Sequence, residues 1–238
     1  MFKRILLVLM IGSFMTGTAF AGMKEVREAY KAKDYMATIS KADEVLADEN
    51  ASDWVKADAQ RHKGYSYYFQ GDGTKALIEF QKVITNFPEE KIFGAYAQRY
   101  IGYTYYGMKE DIKSIAALEK VITDFPERRD QCLFAQYFIS KPYKRLGEMV
   151  KAQEALCKVC INYNDENFGS VSIDAKGNEQ PSFLEKTFRE IKQKVVGDQR
   201  YAEVLSALIK IPNTAKTARF LGLVGSQMTK PDLKKYFE

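Results

Sequence analysis

Residues 64–90 read GYSYYFQGDGTKALIEFQKVITNFPEE, and residues 102–128 read GYTYYGMKEDIKSIAALEKVITDFPER. The two stretches are near copies that lie 38 residues apart without a gap. A fixed period of this length indicates stacked supersecondary units rather than one irregular fold. We therefore expect a repeat protein in which each unit buries its apolar surface against the next.

The repeat continues in both directions at the same step of 38 residues. Residues 117–127 (ALEKVITDFPE) correspond to residues 155–165 (ALCKVCINYND). The match is weaker over residues 22–50, as expected for a terminal repeat, which lacks a neighbour on one side. The sequence therefore predicts four repeats within residues 22–165.

Each repeat has the pattern of two helices, which we name helix A and helix B. In the second repeat, apolar residues recur at helical spacing over about 54–69 and again over about 74–87. The segment 71–73, Gly-Asp-Gly, separates the two helices, and Pro88 ends the second one. This pattern predicts an all-α protein built from helix pairs.

Small, aromatic and apolar residues and a closing proline recur at the same places in both copies. They are Gly64, Tyr67, Ala76, Phe80, Val83 and Pro88, and then Gly102, Tyr105, Ser114, Leu118, Val121 and Pro126. This pattern resembles the tetratricopeptide repeat, whose usual period is about 34 residues. The longer period with a Phe-Pro-Glu ending is similar to a variety found in periplasmic proteins. Examples are the Tol–Pal-associated coordinator of cell division and the barrel-assembly lipoprotein of the outer membrane.

The resemblance implies a right-handed superhelix of antiparallel helix pairs that acts as a non-catalytic scaffold for partner proteins. In that arrangement the glycines lie where helix A closely approaches helix B, and Tyr67 and Tyr105 fill the core beside them. It also implies a concave groove lined by one stripe of each helix A, because residues at i, i+4 and i+7 share a helix face.

The stripe that this family places in the groove is basic and aromatic. Its members are Arg27, Tyr30, Arg61, Tyr65, Tyr68, Arg99, Tyr103, Tyr106, Tyr137, Lys141 and Lys144. Tyr and Arg anchor many protein interfaces, and Arg binds carboxylates. We therefore expect a protein or peptide partner with acidic character. The alternative is that these tyrosines mostly pack neighbouring A helices together.

The first 21 residues have the pattern of an export signal. Lys3 and Arg4 are followed by an apolar run over 5–14 and by Ala19-Phe20-Ala21, a typical cleavage site. The apolar run is about half of the roughly 20 residues that a membrane-spanning helix needs. The sequence thus predicts cleavage after Ala21, a periplasmic location and no membrane span.

The repeat pattern ends at residue 165. Residues 166–181 are rich in Asn, Asp, Gly and Ser, which predicts a loop with a short hairpin around residues 174–177. Ser182 and Glu185 have the spacing of a capping box. Helices are predicted at about 183–195, 199–210 and 214–224. We expect residues 182–238 to cap the open end of the helical stack.

The chain has three cysteines, Cys132, Cys157 and Cys160. Disulfides form in exported proteins. Since Cys132 opens a helix A and Cys160 lies late in the antiparallel helix B, a Cys132–Cys160 bridge is preferred, with Cys132–Cys157 second. Cys157 and Cys160 also have CxxC spacing, which leaves a thiol-active periplasmic factor as the alternative function. Their position late in a helix argues against that alternative.

Other function classes find little support in the sequence. The formal net charge of +5 is small and dispersed, which argues against nucleic-acid binding. The single histidine, His62, has no nearby serine or cysteine pattern of a catalytic or zinc site. We therefore predict no enzyme activity, no metal site and no cofactor.

Overall fold

The computed structural model describes residues 22–164, 172–173, 179–180 and 182–209. The predicted leader, most of the 166–181 loop and the helix predicted at 214–224 lie outside the described residues. The chain divides into two units, Met1–Gln131 and Cys132–Glu238, and each is described by itself.

The described part of the first unit consists of three consecutive A–B helix pairs. Their helices are α1 (22–31) and α2 (Tyr35–Ala47), α3 (Asp53–Phe69) and α4 (Gly73–Asn86), and α5 (Lys91–Gly107) and α6 (Asp111–Asp124). From α2 onward each helix packs against the next, and α3 also contacts α5. The all-α solenoid predicted from the repeat is confirmed.

The turns between helices A and B are built alike in all three pairs of the first unit. Each contains one residue with positive φ, which is Lys33 at 60°, Gly71 at 82° and Lys109 at 64°. In the first two turns an aspartate then caps helix B: Asp34 accepts a hydrogen bond from the Ala37 amide at 3.0 Å, and Asp72 one from the Lys75 amide at 3.1 Å. The left-handed residue reverses the chain, and the cap starts the next helix.

Two glycines of the repeat lie where helix A and helix B are in closest contact. A Cβ atom on Gly64 would lie 2.6 Å from the ring of Phe80, and one on Gly102 would lie 2.6 Å from Leu118 Cγ. Both Phe80 and Leu118 are fully buried. The glycines therefore let a large side chain of helix B fill the space against the backbone of helix A.

The second unit begins with one more pair and continues into shorter elements. The pair is α7 (Arg129–Arg145) and α8 (Met149–Asn162), followed by β1 (Ser172–Ile173), β2 (Glu179–Gln180), α9 (Phe183–Glu190), α10 (Gln193–Val196) and α11 (Asp198–Ile209). The predicted hairpin is confirmed, because Ser172 pairs with Gln180 and Ile173 with Glu179 in antiparallel register.

The C-terminal helices pack on α8, the last helix B. The predicted capping box is present, since Ser182 and Glu185 exchange side-chain-to-backbone hydrogen bonds. The single helix predicted over 183–195 is wrong, because the chain becomes extended at Ile191. There the Lys192 amide donates to Gln153 Oε1 of α8 at 2.8 Å, so a tertiary hydrogen bond replaces helix continuation.

None of the helices in the described residues combines the length and the hydropathy needed to cross a bilayer.

The close contact of helices A and B can be tested at Gly102. We expect Gly102→Leu to destabilise the chain by about 1–3 kcal/mol, because the new side chain must displace buried Leu118. Urea unfolding followed by circular dichroism measures the change. Gly107 of the same helix is the matched control, since no described atom lies within 4 Å of where its Cβ would be. Gly107→Ala should be neutral or slightly stabilising, and wild-type stability of Gly102→Leu would contradict the packing.

Candidate functional site

The A helices of the first unit bring arginines and aromatic rings together on one surface, which we name the A face. Its residues are Arg27 and Tyr30 on α1, Asp58, Arg61, His62, Tyr65 and Tyr68 on α3, and Phe93, Tyr96, Arg99, Tyr100 and Tyr103 on α5. Tyr106, also predicted in the stripe, is half-buried near the end of α5.

Asp58 lies at the centre of an ion-pair cluster on the A face. Its carboxylate is only 1% exposed and lies 2.6 Å from Arg27 Nη2, beside the guanidinium of Arg61 and 3.2 Å from His62 Nδ1. Burial alone would raise the pKa of Asp58, but the hydrogen bond with His62 and the charge of Arg61 hold that pKa well below its usual range. Asp58 is therefore ionised and joins α1 to α3.

Arg61 joins α3 to α5 through aromatic rings. Its Cζ atom lies 5.0 Å from the ring centre of Tyr65, 5.3 Å from that of Phe93 and 5.1 Å from that of Tyr96. Its Nη1 also donates to the Tyr65 hydroxyl at 3.0 Å. A guanidinium among rings gains cation–π attraction, which is stronger where water is excluded. The charge predicted to face a groove is thus largely used in packing.

Arg99 has a similar aromatic environment on α5. Its Cζ atom lies 5.5 Å from the ring centre of Tyr96 and 5.4 Å from those of Tyr100 and Tyr103. Burial raises the pKa of the Tyr103 phenol to about 12, while the charge of Arg99 acts in the opposite direction. The Tyr103 phenol is thus a neutral hydrogen-bonding group beside the Arg99 guanidinium.

Tyr65 does not line an open groove, which corrects the prediction. It is 5% exposed and belongs to the core, because the ring of Tyr100 from the next A helix covers it at a centroid distance of 4.3 Å. Tyr68 also contacts Tyr100, at 5.4 Å, and remains half-buried. Tyr67, predicted in the core, is half-buried with Lys75 Nζ 5.4 Å from its ring centre.

The most accessible cation of the A face is Arg27, whose side chain is 45% exposed. Tyr30 beside it is half-buried, with its ring edge-on to His62 at 5.2 Å. Burial raises the pKa of Tyr30 to about 12. Arg27 is therefore the part of the face best placed to meet a partner, and Tyr30 offers it a neutral phenol.

In the second unit, the predicted groove residues bind a helix of their own chain. Tyr137 donates its hydroxyl proton to Glu190 Oε1 at 2.7 Å, and Lys144 Nζ lies 3.0 Å from Glu190 Oε2. Lys141 lies over the ring of Phe138 at 4.6 Å. The prediction of a partner site at Tyr137 and Lys144 is corrected, because Glu190 of α9 supplies the acidic group they bind.

The cysteines form no bridge in the structure. Cys132, Cys157 and Cys160 are all buried. Cys157 and Cys160 are both free thiols, so neither the preferred Cys132–Cys160 bridge nor the second choice, Cys132–Cys157, is present. Burial raises the pKa of Cys157 to about 11, and burial raises that of Cys160 still further. A thiol with a raised pKa is a poor nucleophile, and no cluster of described residues could hold a metal ion.

Sequence reasoning missed Asp58, His62, Phe93, Tyr96 and Tyr100 as members of the A face. The signal for Tyr96 was present, since it lies three residues before Arg99 on the same helix face. Asp58 has the same spacing to Arg61 and is equivalent to Tyr96 at the repeat step. The stripe therefore begins one turn earlier than predicted.

The buried carboxylate of Asp58 can be tested directly. We expect Asp58→Asn to destabilise the chain by about 3 kcal/mol at pH 7, because Arg61 is left without its counter-charge in a mostly buried place. Urea unfolding measures the loss. Asp43→Asn, which removes an exposed partner of Lys63, is the matched control and should have a much smaller effect.

The contribution of Asp58 to the free energy of unfolding should decrease at acidic pH. A depressed folded-state pKa means that Asp58 contributes its full stability above the ordinary aspartate pKa of about 3.9. The contribution is lost as the pH falls below that value toward the folded-state pKa. The gap between wild type and Asp58→Asn should therefore narrow below about pH 4, and a constant gap would contradict the ion-pair cluster.

The burial of Cys157 and Cys160 predicts slow thiol chemistry. We expect iodoacetamide at pH 8 to modify these cysteines slowly in the folded chain and rapidly after unfolding in urea, as counted by mass spectrometry. Rapid modification of Cys157 in the folded chain would favour the thiol-active alternative.

Comparison with known proteins agrees with the geometry. Residues 58–90, which span α3 and α4, match the tetratricopeptide repeat family. Among solved structures, the chain is similar to the nearly identical TPR-like repeats of a kinesin light chain of Podosopora anserina. That match has 14% identity and a TM-score of 0.52, and it covers 89% of this chain and 94% of the other.

A second structure of the same repeats is equally similar. It has 14% identity and a TM-score of 0.51, with 89% of this chain and 95% of the other covered. No curated protein is similar enough to count as a relative. Residues 58–90 thus match a tetratricopeptide repeat, and the chain has a helical solenoid fold similar to that of such repeats.

Proposed function

We propose that this protein is a non-catalytic periplasmic scaffold that binds other proteins through the A face. The observation that carries the proposal is that Arg27, Arg61 and Arg99 lie on three successive A helices, and that Arg61 and Arg99 contact tyrosine rings. Arg and Tyr are the residues that most often dominate binding energy at interfaces, because both combine apolar contact with directed hydrogen bonds.

The partner that fits this face carries acidic groups. Arg27 uses Nε and Nη2 to bind Asp58 Oδ2, at 3.2 and 2.6 Å. A guanidinium has five N–H donors, so the others can bind a carboxylate of the partner. Since Asp58 already fixes the guanidinium, a partner loses little side-chain entropy at this contact.

The proposed location and process rest on the sequence of residues 1–21 and on the repeat period. An export signal over residues 1–21 supports a periplasmic protein. The 38-residue period resembles that of periplasmic tetratricopeptide proteins such as the Tol–Pal-associated coordinator and the outer-membrane assembly protein. We therefore propose a role in assembly or maintenance of the cell envelope.

The alternative of a thiol-active factor has weaker support. Thiol exchange needs an accessible thiolate, and burial holds Cys157 as a neutral thiol with a pKa of about 11. The CxxC pair also lies near the end of α8 rather than at a helix start, where the helix dipole would lower the pKa of a thiol.

The binding role of the A face can be tested by removing two of its charges. We expect Arg27→Gln with Arg99→Gln to reduce cross-linked partners at least tenfold, since a charged hydrogen bond contributes about 1.5–3 kcal/mol. The measurement is cross-linking of the mature protein in its native envelope, followed by mass spectrometry. Capture should also weaken with added salt.

The control removes the same charge elsewhere. Lys120→Gln with Lys158→Gln changes exposed lysines on helices α6 and α8 and should keep the partners. Arg61 is left intact in the test, so Asp58 keeps a counter-charge. Thermal unfolding then measures the stability lost with Arg27 and verifies that the variant is still folded at the temperature of the experiment. Full recovery of the partners with Arg27→Gln and Arg99→Gln would show that the A face is not the binding surface.

A further inference from the structure

The turns between helices A and B place large apolar side chains in water along one edge of the first unit. We name this the A–B edge, and its residues, which lie in the A–B turns or at the helix ends that flank them, are Lys33, Met36, Phe69, Met108, Lys109 and Ile112. Met36 is 70% exposed and Ile112 is 75% exposed, and Phe69 and Met108 are exposed as well. Burial in the core does not explain Met36 and Ile112, because most of the surface of each side chain is in water.

Neighbouring turns of the edge are in contact. The rings of Tyr35 and Phe69 stack at a centroid distance of 5.8 Å, which joins the first turn to the second. A Cβ on Gly73 would lie 3.0 Å from Met108 Sδ, which joins the second turn to the third. Phe69 and Met108 thus each lie against the neighbouring turn of the edge.

The same arrangement occurs twice, two repeats apart. Lys33 and Lys109 occupy the same position of the repeat, and so do Met36 and Ile112. In both turns a lysine precedes an exposed apolar residue by three positions. A cation and an apolar side chain therefore project together from the first turn and again from the third.

Lys33 and Lys109 have a left-handed backbone conformation that favours glycine. Lys33 has φ of 60° and Lys109 has φ of 64°, whereas the equivalent positions of the other two repeats are Gly71 and Gly147, at 82° and 79°. A side chain at positive φ costs stability that glycine avoids. Strain of this kind is characteristic of functional positions. Here its consequence is that two turns carry an ammonium group where glycine would be more stable.

The carboxylates of the edge are engaged within their own turns. Asp34 caps α2, Asp72 lies 2.9 Å from Lys75 Nζ, and Glu110 forms an ion pair with Lys113. Neither Lys33 nor Lys109 forms an ion pair with any residue that the structure describes. Their charges are therefore available to an anionic partner.

We propose that the A–B edge docks on an anionic lipid surface. Met36, Phe69, Met108 and Ile112 enter the interfacial layer, and Lys33 and Lys109 bind headgroup phosphates. Apolar side chains that project singly from turns need a soft medium that closes around them, and a lipid surface provides one. The lysines extend their charge to the headgroups, where each contributes a factor of about five to binding.

Vesicle sedimentation of the mature chain, beginning at Gly22, tests the proposal. We expect binding to vesicles of equal phosphatidylglycerol and phosphatidylcholine, weaker binding to phosphatidylcholine alone, and a decrease with added salt. Lys33→Gly with Lys109→Gly should lower the partition coefficient by about fivefold for each lysine, without lowering the Tm, since glycine relieves the strained φ. Met36→Ser with Ile112→Ser should lower it further.

The controls are an exposed isoleucine and an exposed lysine away from the turns. Ile78→Ser on α4 and Lys120→Gln on α6 should leave vesicle binding unchanged. Absence of vesicle binding, equal binding to both kinds of vesicle, or wild-type binding by the edge variants would overturn the proposal. If the edge variants lose a cross-linked protein while no form binds vesicles, the edge is a protein interface and the lipid proposal is wrong.

Discussion

The second and third helix pairs of the first unit depend on the close contact between the backbone of helix A and one large side chain of helix B. At Gly64 and Gly102 there is no room for a Cβ, because Phe80 and Leu118 fill that space. The contact fixes the rotation of helix A about its axis. Every other side chain of helix A then has a determined direction, and the same direction recurs in the second and third repeats.

This fixed direction explains why arginine and tyrosine gather on one side of the first unit. Helix A of one repeat lies beside helix A of the next, so Arg61 reaches the rings of Phe93 and Tyr96, and Tyr65 reaches Tyr100. Much of the chemistry that the family places in a groove is therefore used between repeats. Burial of Asp58 would be costly without its two arginines and His62, and together they make the cluster a specific link between α1 and α3.

The sequence was sufficient to predict what is local and periodic. Glycine, proline and apolar spacing gave the helix pairs, the turns and the capping box, because each depends on residues close in the chain. Burial of Tyr65 was not predictable from its own helix, since it depends on Tyr100 in the following repeat. The contacts of Tyr137 and Lys144 were missed for the same reason, because Glu190 lies 46 residues beyond Lys144 and outside the repeat pattern.

The remaining accessible groups divide between two surfaces with different chemistry. On the A face, Arg27 is held by Asp58 and offers further donors to a shaped, acidic partner, so recognition there depends on preorganisation. On the A–B edge, Met36 and Ile112 are 70% and 75% exposed, which suits a lipid surface that closes around them. Lys33 and Lys109 retain side chains where glycine would be more stable, whereas Arg27 contributes to stability through Asp58. Substitution of Arg27 should therefore weaken both partner binding and the stability of the fold. Substitution of Lys33 and Lys109 by glycine should weaken lipid binding without lowering stability.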